Sequence, residues 1–138
     1  MTLAGGCMCG AVRYEADGAP FHATLCHCVD CRRASGAPAL AWFSVRRDTL
    51  RWTHGTPACH ASSPGVVRQF CGRCGTQLTW HSDKAADEID VTTCSLDDPD
   101  AVPPADHTFH GQRVRWLHLA DGLPRYGTLR ANGPMLNK

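Results

Sequence analysis

Short runs of apolar, β-branched and aromatic residues recur along the chain, and residues typical of turns separate them. Runs of this length and composition predict β-strands, here at 11–15, 40–45, 49–52, 66–70, 77–80 and 89–93. Long helical patterns do not alternate with them, so a parallel βαβ sheet is not expected. The pattern predicts a mainly β fold.

The pattern indicates one short helix at 29–35, ended by Gly36 and by Pro38, which cannot continue a helix. A polar, turn-rich segment at 97–104 separates the strands from a tail that holds Trp116 and Tyr126. We interpret this segment as a loop, because 138 residues suit one core. The prediction is a single domain over 1–138.

Composition excludes several classes of protein. Hydrophobic residues make up 43% of the chain and charged residues 20%, which suits a folded globule. The net charge is +1 with scattered basic residues, so nucleic acid is not the expected partner. Residues 1–6 lack the features of a signal peptide, and no segment is apolar for long enough to span a bilayer. A soluble, cytoplasmic protein without a membrane partner is expected.

The chain has nine cysteines, an odd number, and seven of them lie in three tight groups. Bunched thiols are typical of metal sites, whereas disulfide frameworks spread their cysteines along the chain. Cys59 and Cys94 stand alone and are assigned no role. The groups are Cys7 and Cys9; Cys26, Cys28 and Cys31; and Cys71 and Cys74.

Cys71-x-x-Cys74-Gly75 is a common half-site for zinc, in which a turn lets both sulfurs converge. Cys7 and Cys9 can supply the other two ligands, because side chains two apart in an extended segment share a face. The result is a closed, structural Cys₄ zinc site.

Cys26, Cys28 and Cys31 then remain without an obvious fourth protein ligand. Catalytic zinc is typically bound by three protein ligands with a fourth position open, so this triplet is the candidate catalytic site. Three thiolates make the metal a weak Lewis acid, better suited to binding an incoming thiol than to generating hydroxide. We expect two zinc ions per chain.

Spacing leaves alternatives open. Cys7 and Cys9 could join Cys26 and Cys28, which would leave Cys31 with Cys71 and Cys74. His27 could be a fourth ligand of the triplet, or Cys59, Cys94 or a histidine could close it as a second structural site. Arg32 and Arg33 could offset the thiolate charge or receive a substrate carboxylate, or form a solvated helix face.

Segments 6–14, 26–37 and 70–76 together resemble the glutathione-dependent formaldehyde-activating enzymes, and the similarity extends through 95–99, His107 and 123–126. The resemblance implies a zinc-stitched β-tent fold of short antiparallel sheets with one or two helical turns. It also implies a structural site at Cys7, Cys9, Cys71 and Cys74 and a catalytic one at Cys26, Cys28 and Cys31.

The activity that the resemblance implies is addition of glutathione to formaldehyde, giving S-(hydroxymethyl)glutathione, a reaction classed in reverse as a carbon–sulfur lyase. The expected partners are therefore a small thiol such as glutathione and a small aldehyde. Two other classes remain: a non-enzymatic zinc scaffold, as centromere-protein-V-like relatives suggest, and a zinc-ribbon nucleic-acid binder, which the near-neutral charge disfavours.

Overall fold

The computed structural model describes residues 1–130 and 135–136, which hold one α-helix and twelve β-strands. The helix, α1, spans Val29–Ser35 and has Cys28 as its N-cap, whose sulfur accepts a hydrogen bond from the Cys31 N–H. It ends at Gly36 in the left-handed conformation, with φ of 69°. The strands are β1 (Thr2–Gly6), β2 (Arg13–Asp17), β3 (Phe21–Cys26), β4 (Leu40–Arg46), β5 (Leu50–His54), β6 (Ala58–Ser63), β7 (Val66–Phe70), β8 (Gln77–Ser82), β9 (Glu88–Thr92), β10 (Asp106–Thr108), β11 (Arg125–Tyr126) and β12 (Met135–Leu136).

The strands form two sheets. The smaller has the order β1-β2-β5, and the larger has the order β12-β11-β10-β3-β4-β9-β8-β7-β6. All pairings are antiparallel except those of β10, which runs parallel to both β3 and β11. The larger sheet is therefore mixed. This arrangement brings the end of β3, where Cys26 lies, beside the segment that follows β10.

The main core lies between residues of both sheets. Tyr14 from β2 and Phe43 from β4 are completely buried, together with Leu78 and Val91 from the central strands of the larger sheet. Each such side chain contributes roughly 1.5–3 kcal/mol by leaving water. The Tyr14 hydroxyl is paired with Ser95 Oγ at 2.7 Å, which satisfies its polar atom inside the core. This core fixes the relative position of β1 and the larger sheet.

A second, smaller apolar cluster surrounds Trp42 on the larger sheet, and it includes the buried Cys26 and Cys31. Leu40, Trp80 and Phe109 pack against it. Trp42 and Phe43 are neighbours in β4, so they project to opposite faces of the strand. The triplet cysteines thus lie on the face of β4 opposite the main core.

The mainly β prediction and the helix at 29–35 are confirmed. Each predicted strand overlaps an observed one, and the run at 66–70 coincides with β7. Five further strands, β1, β3, β6, β10 and β11, lie within residues 1–130 but were not expected. Among the described residues, no helix has the length and apolar character needed to cross a bilayer.

Candidate metal centres

The structure gathers seven cysteine sulfurs into two groups, in each of which all sulfurs lie within 4.8 Å of one another. The spacing also allowed a pairing of Cys7 and Cys9 with Cys26 and Cys28, but the fold separates these pairs. Cys59 and Cys94 are exposed and belong to neither group. The four-sulfur group is Cys7, Cys9, Cys71 and Cys74, and the three-sulfur group is Cys26, Cys28 and Cys31.

Two similar turns build the four-sulfur group. Gly10 and Gly75 follow its second and fourth cysteines, with φ of 80° and 83°, a region that favours glycine. Each glycine N–H donates to the carbonyl of the first cysteine in its turn, at 3.1 Å to Cys7 and 2.8 Å to Cys71. These turns let two cysteines that are distant in the chain present their sulfurs together.

Backbone N–H groups also point at the sulfurs of this group. Val12 N–H donates to Cys7 Sγ at 3.2 Å, and Cys74 N–H donates to Cys71 Sγ at 3.4 Å. Hydrogen bonds from the Thr76 hydroxyl and backbone lower the pKa of Cys74 to about 5. Donors aimed at sulfur favour the thiolate, which is the form that binds a metal, so the four residues fit a closed tetrahedral site.

The three-sulfur group lies where β3 leads into α1. Cys26 is the last residue of β3, Cys28 is the N-cap of α1, and Cys31 lies in the first turn. Hydrogen bonds from Cys26 and Cys31 lower the pKa of Cys28, which favours a thiolate within the group. In residues 1–130, no histidine, aspartate, glutamate or further cysteine completes this set of ligand atoms. The group therefore fits a metal held by three ligands with a fourth position open.

His27, between two of these cysteines, directs its ring to a chain of hydrogen bonds and not to the sulfurs. Its Nε2 pairs with His107 Nδ1 at 2.8 Å, and His107 Nε2 pairs with Asp121 Oδ2 at 2.7 Å. Because the carboxylate can only accept, His107 donates through Nε2 and accepts from His27 at Nδ1. The buried Nδ1 of His27 is left as an acceptor, with no partner among the described residues.

A third histidine, His110, packs edge-on against both rings, with centroid distances of 5.1 Å to His27 and 5.6 Å to His107. Burial lowers the pKa values of His27 and His110 to about 4, so both rings are neutral near pH 7. Spacing alone could not predict this cluster, because His107 lies 80 residues from His27 and His110 lies further along the chain. Its sequence signals were His27 within the triplet motif and His107, which the family resemblance includes.

The two arginines that follow the triplet differ in their surroundings. Arg32 donates to the carbonyl oxygens of His27 and Gln112, at 3.4 and 3.3 Å, whereas Arg33 is exposed. Neither is positioned here as a free donor beside the sulfurs. An open cleft of about 450 Å³ lies between the end of α1 and the four-sulfur group, lined by Ser35, Cys7 and Cys94 among others, and none of the triplet cysteines lines it.

Comparison with known proteins agrees with the geometry. The family described as glutathione-dependent formaldehyde-activating enzyme matches residues 2–112. A Halomonas elongata protein, itself named only provisionally as such an enzyme, is 32% identical over 133 residues, which cover 86% of this chain and 82% of that protein. The crystal structure of a Rhodobacter sphaeroides protein matches with a TM-score of 0.61 and 26% identity, covering 76% of this chain and 99% of the other. The chain therefore belongs to the glutathione-dependent formaldehyde-activating enzyme family.

Proposed function

We propose that the chain catalyses addition of a small thiol, such as glutathione, to formaldehyde or another small aldehyde at Cys26, Cys28 and Cys31. The activity is that of an S-(hydroxymethyl)glutathione synthase, a carbon–sulfur lyase in reverse. The observation that carries the proposal is a convergent set of three sulfurs without a fourth protein ligand within residues 1–130. The proposed cofactor is zinc, two ions per chain.

Zinc bound at the triplet would lower the pKa of a thiol that takes its open position, which makes sulfur nucleophilic at neutral pH. The three cysteines would hold the metal and leave its fourth position for a ligand. Trp42, Leu40 and Phe109 supply an apolar wall beside the sulfurs, which limits access of water to the attacking group. The protein itself need supply no nucleophile.

The chemistry balances without an oxidant or reductant. The thiol loses its proton to solvent, a carbon–sulfur bond forms as the carbonyl π bond breaks, and the oxygen takes up a proton to give the hydroxymethyl thioether. The reverse reaction follows the same steps. The Cys7, Cys9, Cys71 and Cys74 site has a separate, structural role in this proposal, because its four sulfurs leave no position for a substrate.

The test is the exchange rate between glutathione and its formaldehyde adduct at equilibrium, measured by NMR exchange spectroscopy at a pH where the uncatalysed exchange is slow. The rate should rise in proportion to the concentration of the wild-type protein, and Cys28→Ser should abolish that increase. Cys59→Ser is the matched control, because this exposed cysteine belongs to neither group and should leave the rate unchanged. A rate equal to that without protein would favour the non-enzymatic scaffold.

A further inference from the structure

Arg68, in the middle of β7, is a buried arginine without a carboxylate partner among the described residues. Only 8% of the residue is exposed, and its Nη1 has no hydrogen-bond partner there. Arg13, Arg51 and Arg130, in contrast, each donate to an aspartate at 2.6–2.7 Å. A buried guanidinium is costly unless an anion accepts from it, so the unpaired nitrogen indicates a partner that the described residues do not supply.

The sheet register places Arg68 on the face of the larger sheet that carries the triplet. Arg68 lies directly opposite Trp80 of β8, and residues paired in this way project to the same face of the sheet. Trp80 packs against the cluster that contains Cys26 and Cys31. The guanidinium is therefore on the face of the larger sheet that carries the three sulfurs, one strand beyond the tryptophan.

The charge expected at the triplet also favours a cation on this face of the sheet. Three thiolates and one divalent metal would carry a net charge of −1, and a bound thiolate would make it −2. A ligand that also bears a carboxylate needs a cation close by, and the planar fork of arginine suits a carboxylate.

We propose that Arg68 binds a carboxylate of the thiol ligand and so makes the site selective for thiols that carry one. This proposal rests on the proposed function, since it requires a thiol at the triplet. Arg32 and Arg33 follow the triplet in sequence but do not take this role, because the first is bonded to backbone carbonyls and the second is exposed. Arg68 is a specificity-determining residue and takes no part in forming the carbon–sulfur bond, which occurs at the triplet.

The test compares glutathione with its diethyl ester, which keeps the thiol and removes both carboxylates. Cobalt(II) replaces zinc in the full chain, and its visible absorption reports when a fourth sulfur joins the triplet. The wild-type protein should bind glutathione roughly ten- to a hundredfold more tightly than the ester, the range expected for a hydrogen-bonded charge pair. Arg68→Gln should weaken glutathione binding and bring the ratio of the two dissociation constants close to one. Arg33→Gln, an exposed arginine near the triplet, is the control and should keep the wild-type ratio.

The outcomes separate this proposal from the function on which it rests. If both thiols change the cobalt spectrum with equal affinity, or if Arg68→Gln keeps the preference, the role of Arg68 is refuted and thiol binding stands. If neither thiol changes the spectrum of the wild-type protein, the proposed function fails first. If Arg68→Gln loses the triplet cobalt, Arg68→Lys should retain the metal with a reduced preference. A lysine variant with the full preference, or one that also loses cobalt, would make Arg68 a counter-charge of the metal centre and overturn the proposal.

Discussion

Replacement of Cys71 by serine should destabilise the fold far more than replacement of Cys28. Cys71 is 1% exposed and lies at the junction of the main core and the four-sulfur group. Its sulfur accepts hydrogen bonds from the N–H groups of Arg73 and Cys74, both at 3.4 Å, and lies 3.8 Å from Cys9 Sγ. Serine keeps the size but lacks the soft thiolate, so the metal would lose one of four ligands.

The expected loss of stability follows from the length of the loop that a metal at this site would close. A metal shared by Cys9 and Cys71 joins residues 62 apart, and the loop-closure entropy of such a cross-link is worth about 4 kcal/mol. Cys26 and Cys31 are only five residues apart (31 − 26), for which the same relation gives about 2 kcal/mol. Much of that smaller loop is already ordered by α1, so Cys28→Ser should cost less than about 2 kcal/mol.

Urea unfolding in reducing buffer, followed by circular dichroism, measures both effects. With a slope of about 2 kcal/mol per molar urea, Cys71→Ser should lower the midpoint by roughly 2 M and Cys28→Ser by less than about 1 M. Cys59→Ser, at an exposed position of β6, is the control and should leave the midpoint unchanged. Equal losses for Cys71→Ser and Cys28→Ser would refute the division into a structural and an open site.

Three further predictions follow from the same structure. Mild chelation should remove the triplet metal in a first phase without loss of circular dichroism, because under our proposal the other site cross-links the fold; a single phase with unfolding would make both sites structural. Asp121→Asn should cost about 1–2 kcal/mol in urea unfolding, since Leu123 N–H and His107 Nε2–H donate to different carboxylate oxygens and the amide NH₂ that replaces one of them cannot accept. An unchanged stability would contradict the hydrogen-bonded chain. Burial raises the pKa of Asp90 from 3.8 to about 6 despite a hydrogen bond from Ser44. The unfolded chain therefore loses this proton at a lower pH than the folded one, and the fold loses stability as the pH rises from 3.8 to about 6. At pH 7.5, Asp90→Asn should therefore be more stable than wild type by up to about 3 kcal/mol, and a variant of equal or lower stability would disprove the shift.

Local sequence signals predicted those helices and strands whose ends are determined by neighbouring residues in the chain. The observed range of helix α1 is the predicted one, because Cys28 caps its first turn and Gly36 and Pro38 end it. Strands that depend on distant partners were not found. β1 is rich in alanine and glycine and exists because it pairs with β2 along five residues, where Gly5 leaves room for the Tyr14 ring. β3 contains His22 at φ of 52°, which interrupts the alternation expected of a strand.

The tight cysteine groups were evident from sequence because cysteines are rare and their spacing restricts which can converge, but spacing alone left their pairing open. The surroundings of Arg68 were not predictable, since this residue lies in no motif. The family resemblance includes His107, but only the pairing of β10 with β3 places it next to the triplet. An arginine within a strand-like run is typical of an exposed edge, and only the fold reveals that Arg68 is buried without a partner. Tertiary contacts thus determine the surroundings of the site, whereas local spacing identifies its candidate ligands.

The central claim is that one of two metal centres takes a thiol and the other cannot. Cadmium-113 NMR of the fully loaded chain tests it directly, because the chemical shift of cadmium reports the number of sulfur ligands. Two resonances are expected, one from four sulfurs and one from three, and glutathione should move only the second toward the first. Two resonances that both ignore glutathione, or a single resonance for one ion per chain, would contradict the account.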